Sequence, residues 1–285
     1  MSTDIIFVEL QFLVGYNSNT NVIKKFCSIS GVFFLLFVGT VQLSWKKQKK
    51  VRELYQLSVY HFKTSSQEKF LDDYFRHGLL PALHRLGVNK IGVFKSWSND
   101  TMPDKLMYIF IPLKSLNDLT DIPAKLQKDK EYNTRAKDFL EASYKTPPYS
   151  RIETIILRAF SQSPQMQLPS LTSPKNERVY ELRSYESATE KLFQNKVKMF
   201  NDGDEISIFK KLNFNAIFYS EVIAGSKMPN LMYMTSFENR EDRDNHWKSF
   251  GNDSAWKKLS SMPEYQNNVS HIDISFLYPT DYSDF

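Results

Sequence analysis

Cys27 is the only cysteine in this chain of 285 residues. No disulfide framework, structural zinc cage or paired-cysteine redox centre can form within one chain from a single thiol. The nine glycines are scattered, and none of them builds a loop that would cradle phosphate. A Gly-x-Ser-x-Gly elbow and a His-Glu-x-x-His pair are both absent, which removes the usual signatures of serine hydrolases and zinc proteases. Charge of one sign is not gathered anywhere except Lys46–Lys50. With 37 basic and 32 acidic residues the formal net charge is only +5. Nucleic-acid binders set basic and aromatic residues on one face. No such stripe exists, so nucleic acid is excluded as a partner.

A long membrane-spanning run is missing too. The longest apolar stretch, Ile29 to Leu43, falls short of the roughly 20 residues a spanning helix needs. Lys24 and Lys25 precede it, which is the layout of a secretory signal. Two features count against that layout: there is no clean small-x-small cleavage site, and four lysines follow at once, a charge pattern that hinders translocation. Residues 1–21 sit awkwardly ahead of the basic start, and a true start at Val22 would explain them. Residues 1–50 are therefore expected to be an extension with a signal-like segment. The chain is expected in the periplasm or outside the cell, or membrane-anchored through residues 29–43 if the segment is not cleaved. Cleavage would remove Cys27 and leave no thiol.

What the chain does have is aromatic mass, 22 Phe and 15 Tyr, and a repeat. Arg178–Tyr185 reads Arg-Val-Tyr-Glu-Leu-Arg-Ser-Tyr. Glu53–Tyr60 echoes it as Glu-Leu-Tyr-Gln-Leu-Ser-Val-Tyr, with Tyr180 standing 125 residues after Tyr55. Further parallels follow in the same order. His84–Ile91 matches Lys210–Ile217, Met102-Pro103 with Leu106-Met107-Tyr108 matches Met228-Pro229 with Leu231-Met232-Tyr233, and Ile152–Leu157 matches Ile272–Leu277. Collinear anchors at a nearly constant offset indicate a duplicated domain. Residues 51–160 and 176–285 are the two copies. Residues 161–175, rich in Ser, Pro and Gln, read as a solvated linker.

Each copy reads strand, helix, strand, strand, helices, strand. Tyr55, Leu57 and Val59 alternate with Gln56, Ser58 and Tyr60 at the strand period. Leu71, Phe75, Gly78, Ala82 and Leu86 make one apolar helical face, and Gly87 stops that helix. Ser115 with Asp118, and Asn239 with Asp242, read as cap pairs opening the later helices. The pattern predicts the α+β ferredoxin-like plan. Strand Leu106–Ile111 is apolar on both faces, so helices should cover one face and the sister sheet the other. The expected fold is two tandem ferredoxin-like (dimeric α/β-barrel) repeats forming an intramolecular pseudo-dimer.

At Tyr180–Tyr185, at Trp247-x-x-Phe250-x-x-Asp253-x-x-Trp256 and at Leu277–Ser283 the chain resembles the NIPSNAP family of the dimeric α/β-barrel superfamily, bacterial type. The first copy departs from the pattern, with Gln56 and Ser58 where Glu and Arg stand in the second, and only Asp129 and Tyr132 echoing the later motif. The resemblance implies a binding or interaction module rather than a defined reaction. Members have been linked to vesicle traffic and mitochondria, and superfamily relatives include monooxygenases and haem enzymes, a fold-level analogy only.

Turning Tyr55/Leu57/Val59 and Tyr180/Leu182/Ser184 toward the helices sends Gln56, Ser58, Tyr60, Glu181, Arg183 and Tyr185 into the barrel. There they would form a ligand site, with Arg183 clamping a carboxylate. The competing reading is a self-satisfied Glu181–Arg183 pair that fixes the interface. Asp73, His77 and His84 share one side of the first helix, but such i, i+4 pairs are ordinary solvated contacts, and no metal is assigned. Haem would need a histidine near the barrel. His61 alone is close, and the same alternation turns it toward the helices, so no cofactor is assigned. The partner is an unknown small molecule or protein, with a homo-oligomer also open. The alternatives are a barrel enzyme, a cofactor-independent oxygenase or isomerase with Glu181 as its nominated titratable group, or a haem-binding relative.

Overall fold

The computed structural model describes residues 51–285. The apolar run, Cys27 and Lys46–Lys50 lie outside the described residues. Within residues 51–285 each copy contributes four strands: β1 Leu54–Phe62, β2 Gly92–Ser96, β3 Lys105–Leu113 and β4 Arg151–Ala159, then β5 Val179–Glu186, β6 Asn215–Ala224, β7 Asn230–Phe237 and β8 His271–Pro279. All pairings are antiparallel, and the eight strands close into one barrel in the order β1-β3-β2-β8-β5-β7-β6-β4. Each copy is a four-stranded sheet with its first strand central. The β2–β8 and β4–β6 seams join the two sheets. The chain is therefore an α+β protein of two tandem ferredoxin-like repeats that dimerise within one molecule.

Helices lie outside. In the first copy α1 Ser65–Asp73 runs through a π-helical turn, Tyr74–Leu79, into α2 Leu80–Arg85, and α3 Asp118–Leu126, α4 Lys130–Arg135 and α5 Lys137–Leu140 follow β3. The second copy has α6 Glu190–Asn201, α7 Glu205–Lys211, α8 Arg240–Asn252 and α9 Ser254–Ser260. Local chemistry explains the helix starts and stops. Thr64 and Gln67 make a reciprocal capping box before α1, and Gly87 at φ +76° follows the end of α2. Asn239 caps α8 through the Asp242 N–H at 2.9 Å. Ser115 does not cap α3. That helix starts at Asp118, whose carboxylate accepts from the Lys114 and Ser115 N–H groups.

Three cores result. One fills the barrel, and the others lie between each sheet and its helices. Leu71, Phe75, Gly78 and Ala82 are buried as the helical period requires. One end of the barrel is sealed by aromatics. Phe110 stacks on Phe218 at 4.8 Å, Tyr55 meets Phe110 at 4.9 Å, and Phe285 packs edge-on to Phe94 at 5.4 Å. Met166 is buried in the same cluster. The segment expected to be a solvated linker is thus held partly inside, with the Met166 N–H donating to Glu53 at 2.8 Å and the Gln167 N–H to the Ile217 carbonyl at 2.9 Å. Farther along, the Thr172 and Ser173 N–H groups donate to the Glu238 carboxylate, so hydrogen bonds as well as Met166 hold the segment.

The repeat's internal alignment also needs correction. Val59 pairs with Tyr108 in the first copy, and its counterpart Ser184 pairs with Met232 in the second. Tyr108 therefore corresponds to Met232, not Tyr233. The matching Leu-Met-Tyr tripeptides are out of step by one residue, and in a strand one residue exchanges the two faces.

Candidate functional site

The strands alternate as predicted, but with the opposite face inward. Tyr55, Leu57, Val59, Tyr180 and Leu182 lie in the barrel core. Gln56, Ser58, Tyr60, Glu181, Arg183 and Tyr185 project outward toward the helices. They do not converge into one site. Apolarity could not choose the face, because both sides of the sheet are buried. Glu181 chooses, since its ion partners are available only on the helix side. It is fully buried, accepting from Arg183 Nε at 2.6 Å, Arg243 Nε at 2.7 Å and Trp247 Nε1 at 2.8 Å. Arg183 lies flat over the Trp247 ring at 3.7 Å and donates to the Tyr185 hydroxyl at 3.2 Å. Burial opposes the Glu181 charge, but hydrogen bonds from Arg243 and the charges of Arg183 and Arg243 outweigh it and lower its pKa. An acid held ionised between two arginines is a structural anchor, not a proton-transfer group. Gln56, Ser58 and Tyr60 instead line a separate space beneath α3.

The open end of the barrel holds the cavity that sequence reasoning placed differently. Its volume is about 300 Å³. Leu57, Val59, Leu106, Ile155, Leu182 and Met232 make apolar walls. They come from five strands because inward positions recur every second residue. Polar groups are few. Asn230 donates to Ser184 Oγ at 2.9 Å, and its own carboxamide oxygen is buried without a partner among the described residues. Tyr108 is buried, which pushes its hydroxyl pKa up, while the neighbouring Ser275 hydroxyl works the other way. It remains a phenol at neutral pH and hence a donor. His61 reaches the mouth. Nδ1 lies 2.8 Å from Asp104 Oδ2, and Nε2 is buried with no hydrogen-bond partner among the described residues, 3.7 Å from Glu153 Oε1. The sequence reading turned His61 toward the helices, and the reversed face brings it here.

Asp273, His271 and Glu186 cluster at the rim with ligand atoms within 4.8 Å of one another. Lys227 already supplies the cation, bonded to Asp273 and 3.8 Å from Glu186. The Lys227 hydrogen bond and charge lower the Asp273 pKa. The earlier Asp73/His77/His84 set is not assembled. Asp73 pairs with Lys69 and His84 with Asp284. The sequence reading sent Ser184 toward the helices and gave Tyr108, Asn230 and Ser275 no place in a site, because a lone polar residue in an apolar strand carries no motif. The correct strand phase would have aligned them.

A closed eight-stranded barrel of two sheets, clad in helices and open to a small cavity at one end, defines a protein of dimeric α/β-barrel type. Residues 180–284, nearly the whole second repeat, match the NIPSNAP family model. No curated protein matches the chain in sequence. Among solved structures, a candidate monooxygenase from Lactobacillus acidophilus is 12% identical, covering 80% of this chain and 94% of its own, with a TM-score of 0.52. That likeness shows the fold. A NIPSNAP family protein from Agrobacterium tumefaciens (20% identity, TM-score 0.33) and a NIPSNAP-like domain protein from Burkholderia xenovorans (16%, TM-score 0.34) each align with 38% of this chain, covering 97% and 89% of their own.

Proposed function

We propose that the chain is a binding module that holds a small, mainly apolar molecule in the open end of the barrel. The observation that carries this reading is a pair of buried polar atoms, His61 Nε2 and Asn230 Oδ1, left without hydrogen-bond partners among the described residues, on side chains lining an apolar cavity. An unpaired buried polar group costs about 1–3 kcal/mol, which a ligand of matching polarity would recover. A cavity of about 300 Å³ is at the lower end for ligand sites. It suits one or two rings. Ile155, half-buried at the wall, is the position to block. In Ile155→Trp the indole is expected to occupy the cavity. Native mass spectrometry should show a retained small molecule in the wild type and its loss, or an affinity at least about tenfold weaker (~1.4 kcal/mol), in the variant. An unchanged bound mass in Ile155→Trp would remove the barrel from consideration.

A second reading, a barrel enzyme, rests on His61. Asp104 accepting from Nδ1–H leaves Nε2 as the basic nitrogen, fit to take a proton from a bound carbon acid. Proton removal is the shared first step of an isomerase and of a cofactor-independent oxygenase. Solvent deuterium entering the retained ligand, and failing to enter it with His61→Gln, would favour this reading.

Export through residues 29–43 belongs to the same proposal, supported by the Lys24-Lys25 start and the apolar run. Among the described residues no helix is long and apolar enough to cross a membrane. An intact mass beginning near residue 45 in natively expressed protein is the expected outcome.

A further inference from the structure

The two repeats pack their helices on the sheet in different ways, and the difference leaves a second cavity. Lys114 N–H donates to the Asp118 carboxylate before α3, and Glu238 N–H donates to Asp242 before α8. This matched pair fixes the correspondence of the two helices at 124 residues. Trp247 then corresponds to Pro123 and Arg243 to Leu119, while Glu181 and Arg183 correspond to Gln56 and Ser58. In the second repeat an arginine stacked on an indole fills the space between sheet and helix. In the first, a serine and a proline face the same space, and about 300 Å³ stays open between β1, β3 and α3.

The lining is specific. Tyr60, Tyr74 and Tyr132 present rings and hydroxyls, and Gln56 spends its amide N–H on Ser58 Oγ at 2.9 Å, leaving its carboxamide oxygen free among the described residues. Tyr74 and Tyr132 bond to each other at 3.0 Å, whereas the Tyr60 hydroxyl has no partner among the described residues. The π-helical turn contributes directly. It pairs residues five apart, which brings Tyr74 and Leu79 to the same side, and both line the cavity. On α-helical pitch they would diverge. Among the described residues Asp118 is the only charged one in the lining, and one of its oxygens is committed to two backbone N–H groups.

We propose that this cavity is a second small-molecule site, distinct from the barrel, that takes an uncharged aromatic molecule carrying a hydroxyl. The three tyrosine rings and the β3 isoleucines Ile109 and Ile111 would enclose the aromatic body. Gln56 Oε1 would accept its hydroxyl proton, and Tyr60 would donate to its oxygen. Aromatic rings on such a ligand favour offset or edge contacts with tyrosines.

The test uses 2-naphthol as probe on the full chain carrying Ile155→Trp, so that the barrel is blocked and its own success or failure is read separately from the wild type. Calorimetry should show one site in Ile155→Trp. Adding Pro123→Trp, which copies the second repeat's filler, should weaken that site at least tenfold while circular dichroism and melting temperature show an intact fold. Should Pro123→Trp fail to fold, Ser58→Leu serves in its place with the same expected loss. Ring resonances of isotope-labelled Tyr60 and Tyr132 should shift with 2-naphthol in the Ile155→Trp chain. No binding of 2-naphthol to that chain, or binding unchanged by filling the space beneath α3, overturns the proposal.

Discussion

Glu181→Ala should lose about 3–5 kcal/mol of unfolding free energy, the usual cost of removing one partner from a buried ionic cluster. The residue is fully buried, and Arg183 and Arg243, its two guanidinium partners, are each mostly buried. Without the carboxylate, two positive charges face each other across a desolvated space, and the Trp247 N–H loses its acceptor. The loss must therefore exceed the 0–1 kcal/mol of an exposed pair. Urea unfolding of wild type and variant measures it, and a loss below about 1 kcal/mol would mean that water reaches the guanidinium groups. The pH dependence has a definite sign. Because the folded state holds the Glu181 pKa below its ordinary value, its contribution is fully present above the unfolded carboxylate range and is lost as pH falls through the folded value. Glu181→Ala should thus flatten the acid limb of the stability profile.

Phe285→Ala is expected to be comparably damaging, about 3–5 kcal/mol for a buried phenylalanine truncated in a core. Phe285 is 3% exposed and meets Phe94, Phe110 and Tyr180 at ring distances of 5.4, 6.3 and 6.3 Å. Little can collapse into the gap, because the neighbouring rings sit on strands whose positions the closed barrel fixes. Gly92 illustrates the crowding, since a Cβ there would stand 2.4 Å from the Phe94 ring. Phe285→Leu should recover more than half of the loss. Chemical denaturation of the three proteins decides the matter, and a truncation costing less than about 1.5 kcal/mol would show that the end of the barrel is not sealed by this ring.

The sequence made the duplication legible because Tyr180 repeats Tyr55 and because strand and helix periods are local properties. Helix starts such as Asn239 were legible for the same reason, as hydrogen bonds between residues three apart. What escaped was the direction of each strand face. Tyr55/Leu57/Val59 and Gln56/Ser58/Tyr60 differ in polarity, and ordinary amphipathic logic sends the more polar set toward the less crowded side. Here both sides are cores, and the choice was made by Arg243 and Trp247, more than 60 residues beyond Glu181. The same reversal moved His61 from the helices to the cavity. The space beneath α3 escaped because it depends on what Ser58 and Pro123 fail to fill, and a missing volume has no signature in a single repeat.

Joining the repeats covalently has a consequence for how they diverge. In a barrel made from two identical chains, every substitution appears twice, once on each sheet, and a change that opens a pocket on one side opens it on the other. In this chain the β2–β8 and β4–β6 seams close within one molecule. Each sheet could therefore change alone, so that one keeps the Glu181 cluster as a rigid support while its twin, with Gln56 and Ser58, leaves room for a guest. Assembly is also freed from mass action, since the two halves meet at a local concentration set by the connecting chain rather than by the number of molecules in solution.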